Sequence, residues 1–403
     1  MVSRNLRFRF TLVSYNILSQ SLLNDHNYLY NNCNPHDLEW PRRGHRILKE
    51  LINNRADIIC LQEVESDHLQ SLYRPKLARY GYECLYKKKT GYKLDGCAIF
   101  YKSKLFHLSN SKGVEFNRTD VAYLLNRDNV GLIAVLKPRI PTRSESSHLV
   151  IANTHLIFNP RRCDVRLAQL KYFLSELEAI SRNFCDSNKT TTNSATNNST
   201  SIDNMGQPSY HPTILCGDLN STPDSEVIRC ILKNTRLLSS NNARSDESIE
   251  DDGGACDDDI GVRSTANDRE SSSPTIVGKI IANHSQPVNT CHQQNTPISA
   301  VDEELARARL EDDNNSESEG NNLTNFEHSL EFKSVYPTHN SVNERYVSTF
   351  SSDIVDYIFY TPKLRLESFK ELLTEQQLDD IGPLPNSKFP SDHITLGAKF
   401  TLK

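Results

Sequence analysis

Short apolar runs that end in polar residues recur along this chain, and they constrain its fold more than any other feature. One of them opens Pro212–Pro223, which reads P-T-I-L-C-G-D-L-N-S-T-P. The letters T-I-L-C predict a buried strand, and Asp218 and Asn220 follow it almost at once. Thr222 and Pro223 resemble the N-cap and first position of a helix. The sequence therefore predicts a carboxylate and a carboxamide in a tight loop between a buried strand and a helix.

The same alternation of strand-like and helix-like segments continues through the chain. Further runs with strand character are Phe8–Ser14, Asp57–Leu61, Leu149–Asn153, Ile354–Tyr360 and Ile394–Leu402. Apolar residues at helical spacing follow Trp40 and again follow Asp164. Interleaved strands and helices with a hairpin component predict an α/β fold with mixed sheets.

Two polar segments interrupt this pattern. Residues 187–209 are a low-complexity run of Ser, Thr and Asn, and residues 239–326 are rich in Asp, Glu, Ser and Asn. Neither can build a core, so we expect both to be disordered or surface insertions. Without them about 290 residues remain, which suits one large α/β domain. We therefore expect residues 1–403 to form a single domain that carries two insertions.

The charge of the chain is divided in the same way. Residues 239–326 hold 18 acidic and 6 basic residues, whereas the rest of the chain holds 40 basic and 33 acidic residues. A mildly basic body is typical of a protein that acts on a polyanion such as RNA.

Cysteine usage and the N-terminal sequence bear on the compartment. The ten cysteines are scattered, and none shows the paired spacing of a zinc site. Buried free thiols in a reducing compartment explain them best. The first residues lack a signal-peptide core, and no run of 18 apolar residues occurs. We expect a cytoplasmic protein without a membrane segment, and a nuclear location is also open.

Polar residues capable of chemistry follow several predicted strands, and others lie within a strand (Asp356) or just before one (Asp392-His393). They are Asn16, Glu63, His155, Asp218 with Asn220, Asp356 and the pair Asp392-His393. Each has a structural alternative, such as a surface glutamate or a core histidine. Because strand ends meet at one edge of a sheet, all of them could share a cleft. Carboxylates, carboxamides and histidines without cysteine favour Mg²⁺ or Mn²⁺, and such a set suits metal-assisted attack of water on a phosphoester.

Ordered motifs give the chain a family resemblance. They are S-Y-N-I-L-S, L-Q-E-V, D-G-C-A-I-F, N-T-H-L, C-G-D-L-N-S-T-P, V-D-Y-I-F-Y and F-P-S-D-H. Together they resemble the endonuclease/exonuclease/phosphatase superfamily, the DNase I-like group. Within its deadenylase branch the chain is most similar to the Angel proteins, through S-Y-N-I-L-S-Q-S-L-L, R-D-N-V-G-L, N-P-R-R-C-D-V-R-L-A-Q-L and L-L-T-E-Q-Q-L. The resemblance covers nearly all of the chain except the two insertions.

The resemblance implies a four-layered α/β sandwich, in which two mixed β-sheets pack face to face with helices outside. It makes residues 1–403 one catalytic domain and implies Mg²⁺, or Mn²⁺, as cofactor. The implied metal ligands are Glu63, Asn16 and Asp392. The implied catalytic residues are His155, Asp218, Asn220, Asp356 and His393. Asn153 would face the scissile phosphate beside His155.

The resemblance also implies work on single-stranded RNA 3′ ends. Two reactions remain open, removal of a 2′,3′-cyclic phosphate and 3′→5′ exonucleolysis with a poly(A) preference. The candidate phosphate-binding residues are Arg161, Arg162 and Arg166, with Lys87, Lys88, Lys89 and Lys93. A base could stack on Tyr15, Tyr28 or Phe158. The alternative from another class is an Angel-like scaffold that recruits mRNA translation or decay factors with little catalysis. We expect the protein to be a monomer.

Overall fold

Two six-stranded sheets carry the fold. The computed structural model of the protein describes residues 8–139, 148–183, 210–232, 328–351 and 353–402. The predicted insertions at 187–209 and 239–326 lie outside the described residues.

The first sheet is mixed. Its strands are β1 (Arg9–Asn16), β2 (Ile58–Gln62), β3 (Tyr82–Lys88), β4 (Gly96–Lys102), β12 (Leu364–Phe369) and β14 (Leu396–Leu402). They lie in the order β12-β14-β1-β2-β4-β3. The β1–β2 pair is parallel, whereas the other neighbours are antiparallel.

The second sheet repeats this arrangement. Its strands are β5 (Phe106–Asn117), β6 (Asn126–Pro138), β7 (Leu149–His155), β8 (Thr213–Asp218), β9 (Lys333–Ser334) and β11 (Asp356–Tyr360). They lie in the order β5-β6-β7-β8-β11-β9, with β7 and β8 parallel. A separate pair joins β10 (Tyr346–Val347) to β13 (Leu373–Thr374).

Eight helices complete the described structure. They are α1 (Gln20–Asp25), α2 (Pro35–Leu38), α3 (Trp40–Asn54), α4 (Ser66–His68), α5 (Arg74–Ala78), α6 (Cys163–Asn183), α7 (Glu226–Leu232) and α8 (Glu375–Ile381). A 3₁₀ turn covers Asn27–Tyr30, and a π-helical turn covers Leu69–Tyr73. In the parts of the chain that the structure describes, no helix has both the length and the apolar character needed to cross a membrane.

The helix predicted to start at Thr222 and Pro223 was placed three residues too early. A turn forms there first, in which the Ser225 N–H donates to the Thr222 carbonyl at 3.0 Å. The Ser225 hydroxyl then accepts from the N–H of Ile228 at 3.4 Å, inside a helix that begins at Glu226. Ser225 therefore takes the capping role expected of Thr222.

Alternating side chains separate the layers. On β1, Phe10 and Leu12 belong to the core between the two sheets, whereas Val13 and Tyr15 pack in the cluster that contains Ile47 of α3. This is the period-2 alternation of a strand that is buried on both faces. The first sheet is thus covered by the second sheet on one face and by helices on the other.

Helix α6 covers the second sheet. The ring of Phe173 lies so close to Gly131 of β6 that a Cβ there would come within 2.3 Å of it. Leu170, Leu174 and Leu177 are fully buried on the same helix. The order helix, sheet, sheet, helix is the predicted four-layered α/β sandwich, and that prediction is confirmed.

Candidate active site

The site lies where the two parallel strand pairs end. The last pair of the β1–β2 ladder is Asn16 with Gln62, and the last pair of the β7–β8 ladder is His155 with Asp218. Asp218 also pairs with Asp356 of the antiparallel strand β11. Because paired residues point to the same face of a sheet, these polar side chains come together at one edge of the interior. The convergence expected from the sequence is therefore present.

Asn16 links the residues of the site. Its Nδ2 donates to Glu63 Oε1 and to Asp218 Oδ2, both at 2.9 Å, and lies 3.4 Å from His393 Nε2. Its Oδ1 accepts from the Leu18 N–H at 3.0 Å. The amide thus joins two carboxylates that would otherwise repel each other. To act as the predicted metal ligand, Asn16 must turn its oxygen towards them.

Glu63 is held just beyond the end of β2. Its backbone is left-handed, with φ of 58°, and the next residue, Val64, exchanges two backbone hydrogen bonds with Gly96. Its Oε2 accepts from the Ser19 N–H at 2.9 Å. A non-glycine residue in this region is strained, and strain of this kind is a feature of functional sites.

Asp218 and Asn220 occupy the tight loop predicted after β8. The Asn220 N–H donates to Asp218 Oδ1 at 2.9 Å, and Asn220 itself is left-handed, with φ of 47°. The Asn220 side-chain amide donates to the carbonyl of Leu156 at 2.9 Å. Gly217 is required, because its φ is 142° and a Cβ there would lie 1.9 Å from the Thr154 carbonyl oxygen. The loop thus fixes the buried Asp218 carboxylate beside Asn16 and His393.

His393 forms a dyad with Asp356. Its Nδ1 lies 2.8 Å from Asp356 Oδ2, which also accepts from the Ser348 hydroxyl at 2.8 Å. This contact turns His393 Nε2 towards Asp218 Oδ2, at 3.7 Å. The orienting role that the resemblance implied for Asp356 fits this geometry.

Asp392 and His155 flank the dyad. Asp392 Oδ2 accepts from the Tyr30 hydroxyl at 2.8 Å. His155 Nε2 lies 3.6 Å from Asp218 Oδ2, and its Nδ1 lies 4.0 Å from Glu63 Oε1. Tyr30 is a site residue that no sequence pattern indicated, since it belongs to a 3₁₀ turn and not to a strand end.

The environments of Asp218 and His393 set their charges. Burial raises the pKa of Asp218 to about 7, with a further contribution from Asp356 and an opposing one from His393. Burial alone would lower the pKa of His393, but the carboxylates of Asp356, Asp218 and Asp392 raise it well above its ordinary value. The site therefore presents a cationic imidazole beside a carboxylate that exchanges a proton near neutral pH.

Glu63 and His155 are shifted by burial as well. Burial and the neighbouring Asp392 carboxylate raise the pKa of Glu63. Burial lowers the pKa of His155 well below its ordinary value, helped by the charges of Lys89 and His393. His155 is thus neutral at physiological pH, and its nitrogens can accept hydrogen bonds or bind a cation.

The donor set fits a divalent cation. Ligand atoms of Glu63, His155 and Asp218 all lie within 4.8 Å of one another. His155 Nδ1 is buried and has no hydrogen-bond partner among the described residues. Buried carboxylates gathered in this way, with a neutral imidazole beside them, are the donors that Mg²⁺ or Mn²⁺ prefers.

Several predicted substrate contacts lie elsewhere. Asn153 is fully buried and its amide donates to the carbonyls of Leu61 and Ala98, at 2.9 and 3.0 Å, so it joins the two sheets instead of facing the cleft. Tyr15 is buried in the helix-facing core, whereas Tyr28 and Phe158 are 67% and 68% exposed. Of these three aromatic residues, only the last two are open to a base.

The predicted basic residues are mostly occupied within the protein. Arg166 is buried and donates to the carbonyls of the loop 157–160, among them Asn159 at 2.6 Å, so its role is to shape that loop. Arg162 pairs with Asp164 at 3.0 Å. Arg161 is exposed.

The lysines on and after β3 follow the same trend. Lys87 pairs with Glu115, and Lys88 donates to the carbonyl of Lys93. Lys89 forms a buried ion pair with Asp95 at 2.7 Å. The exposed Lys93 and Arg161 are thus the predicted phosphate-binding residues that the structure leaves open to solvent.

A two-sheet sandwich with buried carboxylates and imidazoles at its strand ends defines a phosphoester hydrolase. The Endonuclease/Exonuclease/phosphatase family matches this chain over residues 13–393. The chain belongs to this family, as its motifs predicted.

Individual relatives agree with the predicted branch. Protein angel homolog 2 of Mus musculus is 34% identical over 421 residues, which cover 99% of this chain and 70% of the mouse protein. Protein angel homolog 1 of Homo sapiens is 40% identical over 228 residues, which cover 56% of this chain and 31% of the human protein.

Solved structures give the same result. The crystal structure of ANGEL2, a 2′,3′-cyclic phosphatase, in complex with adenosine-2′,3′-vanadate matches with a TM-score of 0.67 and 31% identity, over 98% of this chain and 96% of that chain. The human Nocturnin catalytic domain matches with a TM-score of 0.55 and 21% identity, over 99% of this chain and 96% of that chain, which shows a shared fold.

Proposed function

We propose that this protein is a Mg²⁺-dependent hydrolase that removes 2′,3′-cyclic phosphates from RNA 3′ ends. The observation that carries the proposal is the junction of Asn16, Glu63, Asp218 and His393 at one edge of the sandwich. A chain of the same family with 31% identity is a 2′,3′-cyclic phosphatase and accommodates adenosine-2′,3′-vanadate. The mildly basic body of the chain suits an RNA partner.

Asp218 is placed to take a proton from the attacking water. Its Oδ1 is fixed by the Asn220 N–H, and its pKa of about 7 matches the strength of a general base at neutral pH. In the first step water attacks phosphorus, one P–O bond of the cyclic ester breaks, and the freed ribose oxygen takes up a proton. A second water then releases inorganic phosphate and leaves the 2′- and 3′-hydroxyls.

His393 is placed to bind a phosphate oxygen. Asp356 holds the ring through Nδ1, so Nε2 projects towards the cleft and carries a proton at neutral pH. A positive N–H donor at this position stabilises the charge that builds up on phosphate oxygens in the transition state.

Glu63 and His155, with Asn16 once its oxygen is turned towards them, are the residues that would hold Mg²⁺, or Mn²⁺ in its place, and Asp392 would serve a second ion. When bound, the ion neutralises phosphate charge and lowers the pKa of water. The cradle that this chain supplies is a set of buried, hydrogen-bonded carboxylates on strand ends, so little reorganisation is needed at the moment of reaction.

The test uses one 5′-labelled RNA that ends in oligo(A), prepared with either a 2′,3′-cyclic phosphate or a 3′-hydroxyl. Each RNA is incubated with Mg²⁺ and wild-type protein. We expect the cyclic end to become a diol without shortening of the RNA. Asp218→Asn should abolish this conversion, whereas Asp224→Asn, an exposed carboxylate in the same loop, should not affect it.

Two other outcomes would redirect the proposal. A ladder of shortened products from the 3′-hydroxyl RNA would identify a 3′→5′ exonuclease acting with the same residues. No change in either RNA would favour a scaffold that binds translation or decay factors, and the cyclic phosphatase proposal would then be wrong.

A further inference from the structure

Arg43 is a fully buried charged side chain that neither the motifs nor the family match assign to any role. It is 0% exposed and lies on the apolar face of α3, four and eight residues before Ile47 and Leu51. A permanent charge in such a place costs free energy unless hydrogen bonds replace its water. Its retention there requires an explanation.

Hydrogen bonds satisfy the whole guanidinium. Nη1 donates to the carbonyls of Ile17 at 3.3 Å and Pro390 at 2.9 Å, and Nη2 donates to the carbonyl of Leu18 at 2.7 Å. Nε and Nη2 both donate to Gln20 Oε1, at 3.3 and 3.1 Å. These five bonds match the five N–H groups of arginine. Within the described ranges no carboxylate forms an ion pair with Arg43.

The carbonyls that Arg43 binds belong to two loops of the site. Ile17 and Leu18 follow Asn16 directly, and Pro390 is two residues before Asp392. These loops are more than 370 residues apart in sequence. The single guanidinium of Arg43 is thus hydrogen-bonded to both loops.

Hydrogen bonds connect each of these two loops to a residue of the proposed cation site. The Leu18 N–H donates to Asn16 Oδ1 at 3.0 Å, and the Ser19 N–H donates to Glu63 Oε2 at 2.9 Å. From the other loop, the Ser391 hydroxyl donates to the Asn16 carbonyl at 2.7 Å. A shift of either loop would therefore move a carboxylate or amide of the site.

We propose that Arg43 is a positioning residue that sets the geometry of the divalent-cation site, by holding the loop after β1 against the loop that carries Asp392. The inference deepens the proposed function and rests on its cation requirement. It differs from a purely structural role in one respect, because it ties Arg43 to cation affinity and not only to the stability of the fold.

Arg43→Lys separates the two roles. Lysine keeps the charge, but its compact ammonium has three donors and cannot span both loops as the guanidinium does. Outer residues that orient metal ligands typically change metal affinity ~10–100-fold when replaced. We expect Arg43→Lys to need at least about tenfold more Mg²⁺ for half-saturation.

The measurement is thermal unfolding of the full chain against Mg²⁺ concentration, without RNA. A ligand that binds only the folded state stabilises it by RT ln(1 + c/Kd) at concentration c, so a fit of melting temperature against Mg²⁺ concentration gives the cation Kd independently of hydrolysis. Arg46→Lys is the matched control, because Arg46 lies one turn further along α3 and its guanidinium pairs with the Asp37 carboxylate at 2.6 Å instead of binding the loop carbonyls that Arg43 binds. Its Mg²⁺ curve should coincide with that of the wild type.

The outcomes are distinct. If Arg43→Lys lowers the melting temperature without Mg²⁺ but leaves the Mg²⁺ curve unshifted, Arg43 is only structural and the inference is overturned. If Arg43→Lys does not fold, Gln20→Ala is tested in its place, because it removes one hydrogen-bond acceptor of Arg43 and keeps the guanidinium. A shifted Mg²⁺ curve of Gln20→Ala supports the inference, and an unshifted one overturns it. A wild type that binds Mg²⁺ but leaves the cyclic RNA intact refutes the proposed function alone, whereas a wild type without any Mg²⁺ response refutes both.

Discussion

Replacing Asp218 by asparagine should make the metal-free protein more stable and less active at once. The carboxylate is almost fully buried, and burial raises its pKa from the ordinary value of 3.8 to about 7. An acid whose pKa is higher in the folded state costs stability as the pH rises, because the unfolded chain ionises first. The cost grows between about pH 4 and pH 7 and is complete above pH 7.

The size of the effect follows from the shift. About three pKa units at 1.36 kcal/mol each set a ceiling near 4 kcal/mol. Asparagine keeps an oxygen for the Asn220 N–H, but its amide nitrogen would meet the Asn16 amide, and one lost hydrogen bond costs about 1–2 kcal/mol. We therefore expect Asp218→Asn to gain about 2 kcal/mol at pH 8 and much less at pH 4.5.

Urea unfolding in EDTA at the two pH values measures this directly. Asp224→Asn is the control, since that carboxylate is exposed in the same loop. Activity on cyclic-phosphate RNA should fall by ~10²–10⁴ in the Asp218 variant. Equal or lower stability of Asp218→Asn at pH 8 would refute the inference that burial of the ionised Asp218 carboxylate costs stability.

Two further substitutions test the dyad and the loop after β8. Asp356→Asn removes the carboxylate that orients and charges His393, so kcat should fall by ~10²–10⁴ with little change in KM; unchanged kcat would contradict the dyad. Gly217→Ala drives a Cβ into the Thr154 carbonyl and should cost about 3 kcal/mol in urea unfolding. Gly81→Ala also has positive φ but open space, so its cost of about 1 kcal/mol isolates the clash; equal costs would argue against it.

The residues at strand ends were accessible from the sequence because the local pattern determines them. An apolar run followed by glycine and acidic or amide residues, as around Asp218, predicts the strand, although β8 runs two residues further than the apolar run, through Asp218. The period-2 alternation then decides which side chains enter the interior. The local sequence pattern was therefore sufficient to predict that Glu63 and Asp218 lie at the ends of buried strands.

Other roles depend on contacts between distant segments, which a local pattern does not encode. Asn153 lies two residues before His155 in the sequence, but its side chain donates to carbonyls of the other sheet. Closeness in sequence to a site residue therefore did not predict that Asn153 faces the phosphate. Tyr30 meets Asp392 across more than 360 residues. A usable signal did exist for Arg43, since its four-residue spacing from Ile47 places it on the buried stripe of α3.

The site combines residues from both ends of the described chain. Asn16 ends β1, His393 precedes β14, and β14 is the antiparallel neighbour of β1. A nascent or truncated chain that stops before Asp392 therefore lacks both the imidazole of His393 and the strand β14 that flanks Asn16. We therefore expect such incomplete chains to lack hydrolase activity, because the site is complete only when β14 has paired with β1. Two separately produced halves should regain activity only when they assemble.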